Sequence, residues 1–479
     1  MATATLTTET KAYTNTTESG RTPVLLQPRR YARFAGLIVL VPLLPQHAPL
    51  KPLPAEVWRK ILMLAMTADE KDGSDKQGAD GSQSNTAFKG TVERGRAVHK
   101  WSKWDLSLVC KELRNIALPL LYTNCSIQSI LSLSRFTALL YSADQKWDSI
   151  RRIPYSTPGR WVSSLSMTDL EVTTISETRT VDDLLSMLFP LLPFLTRLEL
   201  SLSMQLSRRA MGSLGLRDGA QNLKCLRGVK YDPSTILSGE DPLTELVACC
   251  SGIEELEVVG IGVEDLEALN SFQFGKDDIH ATSASLCLPQ LHTLTILATP
   301  TSPLLMRLTN SSLPSLRTVV ITPYGDIPAP QSIIPNFLAA HGQVIRTLVL
   351  HTPKSWPIIR YPPPRGLLCL MPKLSALSLE NTGFAFDDPR EGNGKTPHSL
   401  RSIWISRPTS GVREELLQML PSVPRLKEVR VRDVRWAKPG LSARAREAGF
   451  QGEMLAWKRL LAQRNVGLFD ADGVEDPFA

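Results

Sequence analysis

The chain has 479 residues, 42% of them apolar and 21% charged, with a net charge of +7. That length suits about three average domains or one long repeat array, and that apolar share excludes a wholly disordered chain. Seven cysteines without regular spacing argue against a disulfide framework and for a reducing compartment, cytoplasmic or nuclear.

Residues 1–30 are polar and Thr-rich at the start, with no apolar core of a secretory signal, and read as a disordered tail. In the lead-in 31–52, the apolar run from Phe34 to Leu44 is shorter than a membrane span and is interrupted by Pro42 and Pro45. A buried strand or an extended packed segment is expected there, not an anchor. The first clear helix is "LPAEVWRKILMLAM", residues 53–66. Pro54 suits a first helical position and Glu56 suits the positive end of the helix dipole. Val57, Ile61, Leu64 and Ala65 form one stripe, and Trp58 and Leu62 widen it. A helix this short needs other surfaces to be stable, and its breadth allows two of them.

Residues 69–90 are rich in Gly, Ser, Asp and Lys and are expected to be mobile. A second apolar helix is expected from Lys103, with Leu106, Val109, Cys110, Leu113 and Ala117 on one face. Pro119 is expected to end it, and "LLYTNCSI" to leave as an extended segment.

Leu53-Pro54, the helix with Val57 and Ile61, and then "LSLVCKELRNIALPLLY" resemble the F-box, most of all its fungal versions. Leu108, Val109, Cys110, Lys111 and Arg114 match that motif in order. The resemblance covers 53–127, and Val109 follows Leu53 by about twice the family's usual spacing; the loop can absorb the difference because closure cost grows only logarithmically. It implies a small helical module that docks to the Skp-type adaptor of a cullin-based ubiquitin ligase. Leu53, Pro54, Val57, Ile61, Leu106, Val109, Cys110 and Leu113 would form that module, some internal and some facing the adaptor.

From 160 to 435 a unit recurs: apolar, two variable residues, then apolar-x-apolar. Its leading positions are Val162, Leu195, Leu223, Ile253, Leu291, Leu316, Ile345, Leu374, Leu400 and Leu426. The alternation predicts short strands with one buried face, and the intervals leave room for return segments, helical in "TVDDLLSMLFPLLP" and "REELLQMLPSVP". The fold class expected is α/β: a short helical F-box-like module, then an irregular leucine-rich-repeat solenoid over 128–440. Phe450, Met454, Trp457, Leu460 and Leu461 predict a capping helix within 441–466. Residues 467–479 read as an acidic tail, of which the final "DADGVEDPFA", 470–479, is expected to be loose.

The residue between the last two apolar positions of each unit must point away from the core. On a solenoid that is the concave face. The series is Ser166, Glu199, Arg227, Glu257, Thr295, Val320, Val349, Ser378, Trp404 and Arg430. Val320, Val349 and an exposed Trp404, bordered by Arg430 and Arg432, are the expected target-binding residues, suited to an apolar anchor with an acidic flank.

Residues 401–465 carry 14 Lys or Arg against 6 Asp or Glu, an excess that reads as a solvated face because no nucleic-acid motif accompanies it. "EGNGKT" at 391–396 lacks the first glycine of a phosphate loop, and Pro397 blocks the helix that would follow. "GSLG" at 212–215 lacks the first glycine of a nucleophile elbow, and no histidines pair at metal spacing. The expectation is therefore a non-enzymatic substrate receptor without metal or cofactor. Its partners would be a Skp-type adaptor, through it a cullin, and a target protein, with neither nucleic acid nor membrane. The alternative is a plain repeat scaffold whose first helices only cap it.

Overall fold

The computed structural model describes residues 53–74, 108, 110–145, 157–231, 241–260, 285–299, 302–323, 332–352, 366–380, 398–436 and 449–475. The chain divides into two units, 1–54 and 55–479. The expected tail 1–30, the lead-in 31–52, Leu106, Val109, loop residues 75–90 and "EGNGKT" lie outside the described residues.

Among the described residues of the second unit, twelve strands form one sheet in strict chain order, β1 to β12. They are β1 Asn124–Ser126, β2 Ser164–Ser166, β3 Arg197–Glu199, β4 Cys225–Tyr231, β5 Glu255–Gly260 and β6 Thr293–Leu297. Then follow β7 Thr318–Ile321, β8 Thr347–Leu350, β9 Ala376–Ser378, β10 Ser402–Ile405, β11 Glu428–Val431 and β12 Gly467–Phe469. Every pair is parallel. Return segments carry the helices, so this is an α/β repeat solenoid with irregular repeats, as the periodicity predicts.

The ten leading positions are all buried, and so are the central strand residues Leu165, Leu198, Leu226, Leu256, Leu294, Val319, Leu348, Leu377, Ile403 and Val429. They join one continuous core with apolar residues of the return helices. No repeat could bury this row by itself, but stacked repeats share it.

A second regularity holds the starts of the strands. The carbonyls of Ser163, Thr196, Lys224, Glu254, His292, Arg317, Arg346, Ser375 and Arg401 each accept two successive N–H groups from the next repeat, at 2.7–3.2 Å. In three repeats other turn carbonyls are met by an arginine or a histidine side chain, in place of a regular asparagine. Buried Arg217 donates to Leu192 O at 2.5 Å and Leu195 O at 2.9 Å, and burial lowers its pKa to about 10. His341 Nε2 donates to Leu308 O and His398 Nε2 to Met371 O, both at 2.9 Å.

One repeat departs from the pattern. The β4–β5 register shifts between Leu226 and Val229. Gly228 sits there at φ 72, and a Cβ would lie 2.1 Å from Leu200 O, so only glycine fits this bulge.

At the N-terminal end, α1 (Ala55–Ser74) and α2 (Lys111–Thr123) pack together. Helix α1 runs six residues into the segment expected to be mobile, because Ala68, Asp69, Glu70 and Lys71 are compatible with helix and the first glycine comes only at Gly73. Cys110 does not continue a helical face. Its backbone is extended (φ −156, ψ 165) and its Sγ accepts the Leu113 N–H at 3.4 Å, so it caps α2. Nor does Pro119 end the helix. It lies inside α2, where the loss of one N–H is tolerated while Ala117, Leu120 and Leu121 of the same helix pack with Leu62 of α1. Tyr122 then stacks on Phe136 of α3 (Ile130–Gln145) and approaches Trp161 of α4 (Thr157–Trp161), joining the helices to the array.

At the other end, Met454, Trp457 and Leu461 of the helix Gly449–Ala462 are buried in the shared core. Phe450 is half exposed, with the Arg407 guanidinium 5.6 Å from its ring. The acidic tail is ordered over residues 467–475, into the stretch expected to be loose. β12 pairs with β11, and buried Asp470 accepts the N–H groups of Trp436 (3.1 Å), Asp472 (3.0 Å) and Val474 (2.8 Å).

Burial disfavours the charged form of His341 and His398 and lowers both pKa values. The unfolded chain therefore takes up protons first. These residues contribute their full stability above the free imidazole pKa of about 6.5 and lose it as the pH falls below. Urea midpoints should fall between pH 7.5 and pH 5.5, and His341→Gln/His398→Gln should flatten that dependence. A variant with an unchanged slope would contradict this assignment.

Candidate functional site

Among the described residues, two surfaces are candidates for a site. The first is on α1. Leu62, 4% exposed, turns toward Ala117 of α2, and Leu113, Ile116, Leu120 and Leu121 pack around this pair. The stripe Val57, Ile61, Leu64 lies on another side of the helix and stays exposed at 39%, 42% and 67%. The helix thus has the two apolar sides that its sequence suggests, and the structure covers one of them. Of the other adaptor candidates, Leu53 and Pro54 are exposed, Cys110 is an exposed cap and Leu113 is half-buried beside Leu62. Leu64, which belongs to the stripe but not to the candidate set, is its most exposed member.

The second surface is the face of the sheet that carries no helix. Strand register lines up Glu257, Thr295, Val320, Val349, Ser378, Trp404, Arg430 and Phe469 in one row. Val320 and Val349 are half-buried and Ser378 is buried. Trp404 is not an open apolar anchor. Its ring has the guanidinium of Arg430 and that of Arg432 each 5.5 Å from its centre, and its Nε1 donates to Ser402 Oγ at 2.9 Å. Arg430 also approaches the Phe469 ring at 5.7 Å. Two cations against one indole replace the expected apolar patch with a fixed aromatic–guanidinium cluster.

Carboxylates tether the cluster. Arg430 donates to Glu428 at 3.2 Å. Burial lowers the pKa of Arg432, against the opposing charges of Glu380 and Asp433. Burial would raise the pKa of Glu380, but hydrogen bonds from His351 and the Thr352 N–H (2.6 Å), with the charges of His351 and Arg432, hold it below the usual range. Phe469 lies in the stretch whose acidic composition suggests a tail, and the sequence signal for its strand is Val466-x-Leu468, which carries the same alternation as the other units.

In the early repeats the open face is polar. Arg227 bonds Glu255 at 2.6 Å and lies 3.9 Å from Glu199. Burial raises the Glu257 pKa, the Arg227 charge lowers it and the Glu199 charge raises it further. Among the described residues no group of His, Cys, Asp and Glu can hold a metal ion. No described helix is long and apolar enough to cross a membrane.

No family model matches the chain, and no curated protein matches it. A solved structure that it resembles, the Rad7 and Elc1 complex in yeast, is 12% identical, with 81% of this chain and 92% of that chain covered and a TM-score of 0.27.

Glu380→Ala should strand the Thr352 N–H, release His351 and remove the negative charge near Arg432. Loss of such a half-buried acceptor costs about 1–3 kcal/mol, so the urea midpoint should drop with an unchanged slope. Wild-type stability in this variant would show that the cluster needs no tether.

Proposed function

We propose that this chain is the substrate-recognition subunit of an SCF-type cullin ubiquitin ligase, without catalytic groups of its own. Helices α1 and α2 would dock to a Skp-type adaptor, and the repeat array would hold a target protein. The observation that carries this reading is the stripe Val57–Ile61–Leu64, left exposed on a helix whose other side already packs on α2. Apolar side chains of this kind anchor protein interfaces. The order of "LP", an apolar helix and "LSLVCKELR" supports the same assignment by its resemblance to the F-box. Leu53, Pro54, Leu106 and Val109 remain adaptor candidates on that resemblance.

For the target, the open face of the later repeats is the proposed site, with Val320, Val349, Trp404, Arg430 and Arg432. The arginines stacked on Trp404 suit a partner that brings carboxylates together with a flat or apolar group. The alternative is a repeat scaffold that uses α1 and α2 only as a cap, and it predicts no adaptor binding.

Val57→Asp/Ile61→Asp leaves Leu62 and α2 untouched. Truncating an interface anchor typically costs about 2 kcal/mol or more, so the double variant should lose pull-down of the adaptor while the melting temperature of the array is kept. A wild-type chain that captures no Skp-type adaptor, or a variant that captures it equally well, would favour the scaffold.

A further inference from the structure

From Thr196 to Lys427, the residue just before each strand donates to the carbonyl of the preceding repeat. Its own carbonyl accepts N–H groups from the next repeat, two in every case but Lys427, which accepts one, so these residues stand in register along one edge of the sheet. In the early repeats they are Thr196, Lys224, Glu254 and His292. There Lys224 is paired with Glu254 at 2.8 Å and His292 lies 3.9 Å from the same carboxylate. From β7 to β11 they are Arg317, Arg346, Ser375, Arg401 and Lys427. All four cations are exposed, and none takes part in an ion pair among the described residues. Lys373, exposed and two residues before Ser375, supplies a charge in the repeat where the row has a serine.

At a strand spacing of about 4.8 Å the row from Arg317 to Lys427 spans about 19 Å. The hydroxyls along it are already used by the fold. Ser315 donates to Pro289 O, Ser375 to Arg346 O, and Ser399 to Pro372 O and Leu374 O. What the edge offers a partner is therefore charge, mostly guanidinium. Part of the positive excess of 401–465 is thus one end of an ordered line.

We propose that this edge is a docking site for an extended acidic segment of a partner protein, separate from the Trp404 cluster on the face of the sheet. Arginine forks match carboxylates in pairs. The row itself holds no aromatic residue on which a base could stack, which favours an acidic peptide over single-stranded nucleic acid.

The test uses the full-length chain and a fluorescein-labelled oligoglutamate peptide, read by anisotropy. The wild type should bind it, and the affinity should fall steeply between ~50 and ~200 mM salt as exposed charges are screened. Arg317→Gln/Arg346→Gln/Arg401→Gln/Lys427→Gln should bind about tenfold more weakly or worse. Arg208→Gln/Arg209→Gln on the helical side should bind like wild type. The proposal is overturned if the wild type ignores the peptide, if the quadruple variant binds it equally, or if Trp404→Ala abolishes binding. Preference for an oligothymidylate of equal charge, lost in the quadruple variant, would make the row a nucleic-acid contact and also overturn it.

Discussion

Everything in the array depends on how one repeat holds the next. A single carbonyl at the strand start accepts two N–H groups from the following repeat, and this contact recurs at nine strand starts, from β2 to β10. Behind it runs an unbroken row of buried aliphatic residues to which each repeat gives a leading residue and a central strand residue. The hydrogen bonds set the register and the aliphatic row supplies the burial. Neither works for an isolated repeat, whose short strand would expose both its edge groups and its apolar side. The return segments are freer. They hold helices of four to sixteen residues, from Leu367–Leu370 to Ile130–Gln145, and satisfy their turns with arginine in one repeat and histidine in others.

This division explains what was legible. The strands were readable because a period of two with one buried face leaves a strong mark even in short segments. All ten leading positions proved buried. The helical returns before Pro190 and Pro421 were readable for a similar reason. What escaped was context. Cys110 looks like one more apolar residue in "LSLVCKEL", and only its extended backbone reveals a cap. Pro119 looks like a helix end, yet packing by its neighbours carries the helix to Thr123. β12 follows a helix, not another full repeat unit, so its two apolar residues were lost in an acidic tail. The state of Trp404 depends on Arg430 and Arg432, one strand away and about a repeat distant in sequence. Aligning the repeats shows who stands beside whom, but not which side chains fold over their neighbours.

The surfaces that the fold does not consume lie on different elements. A regular core frees the outward position of each strand and the residue before it to vary, so charge can change sign along the same array. The early strand starts neutralise one another, whereas the later ones do not. The exposed stripe of α1 differs in kind. It belongs to a helix whose buried contacts form a small cluster of their own, apart from the main core. An attachment of that sort suits an element whose remaining stability comes from a partner.

The proposed adaptor role is tested most directly by hydrogen exchange of the full-length chain, free and with a saturating Skp-type adaptor. Free α1 should exchange fast, because its packing rests on few buried contacts, while the central strands should be protected. With the adaptor, protection should rise over α1 and the start of α2 and stay unchanged from β3 to β11. Exchange in α1 that ignores the adaptor, or new protection confined to the sheet, would contradict the account.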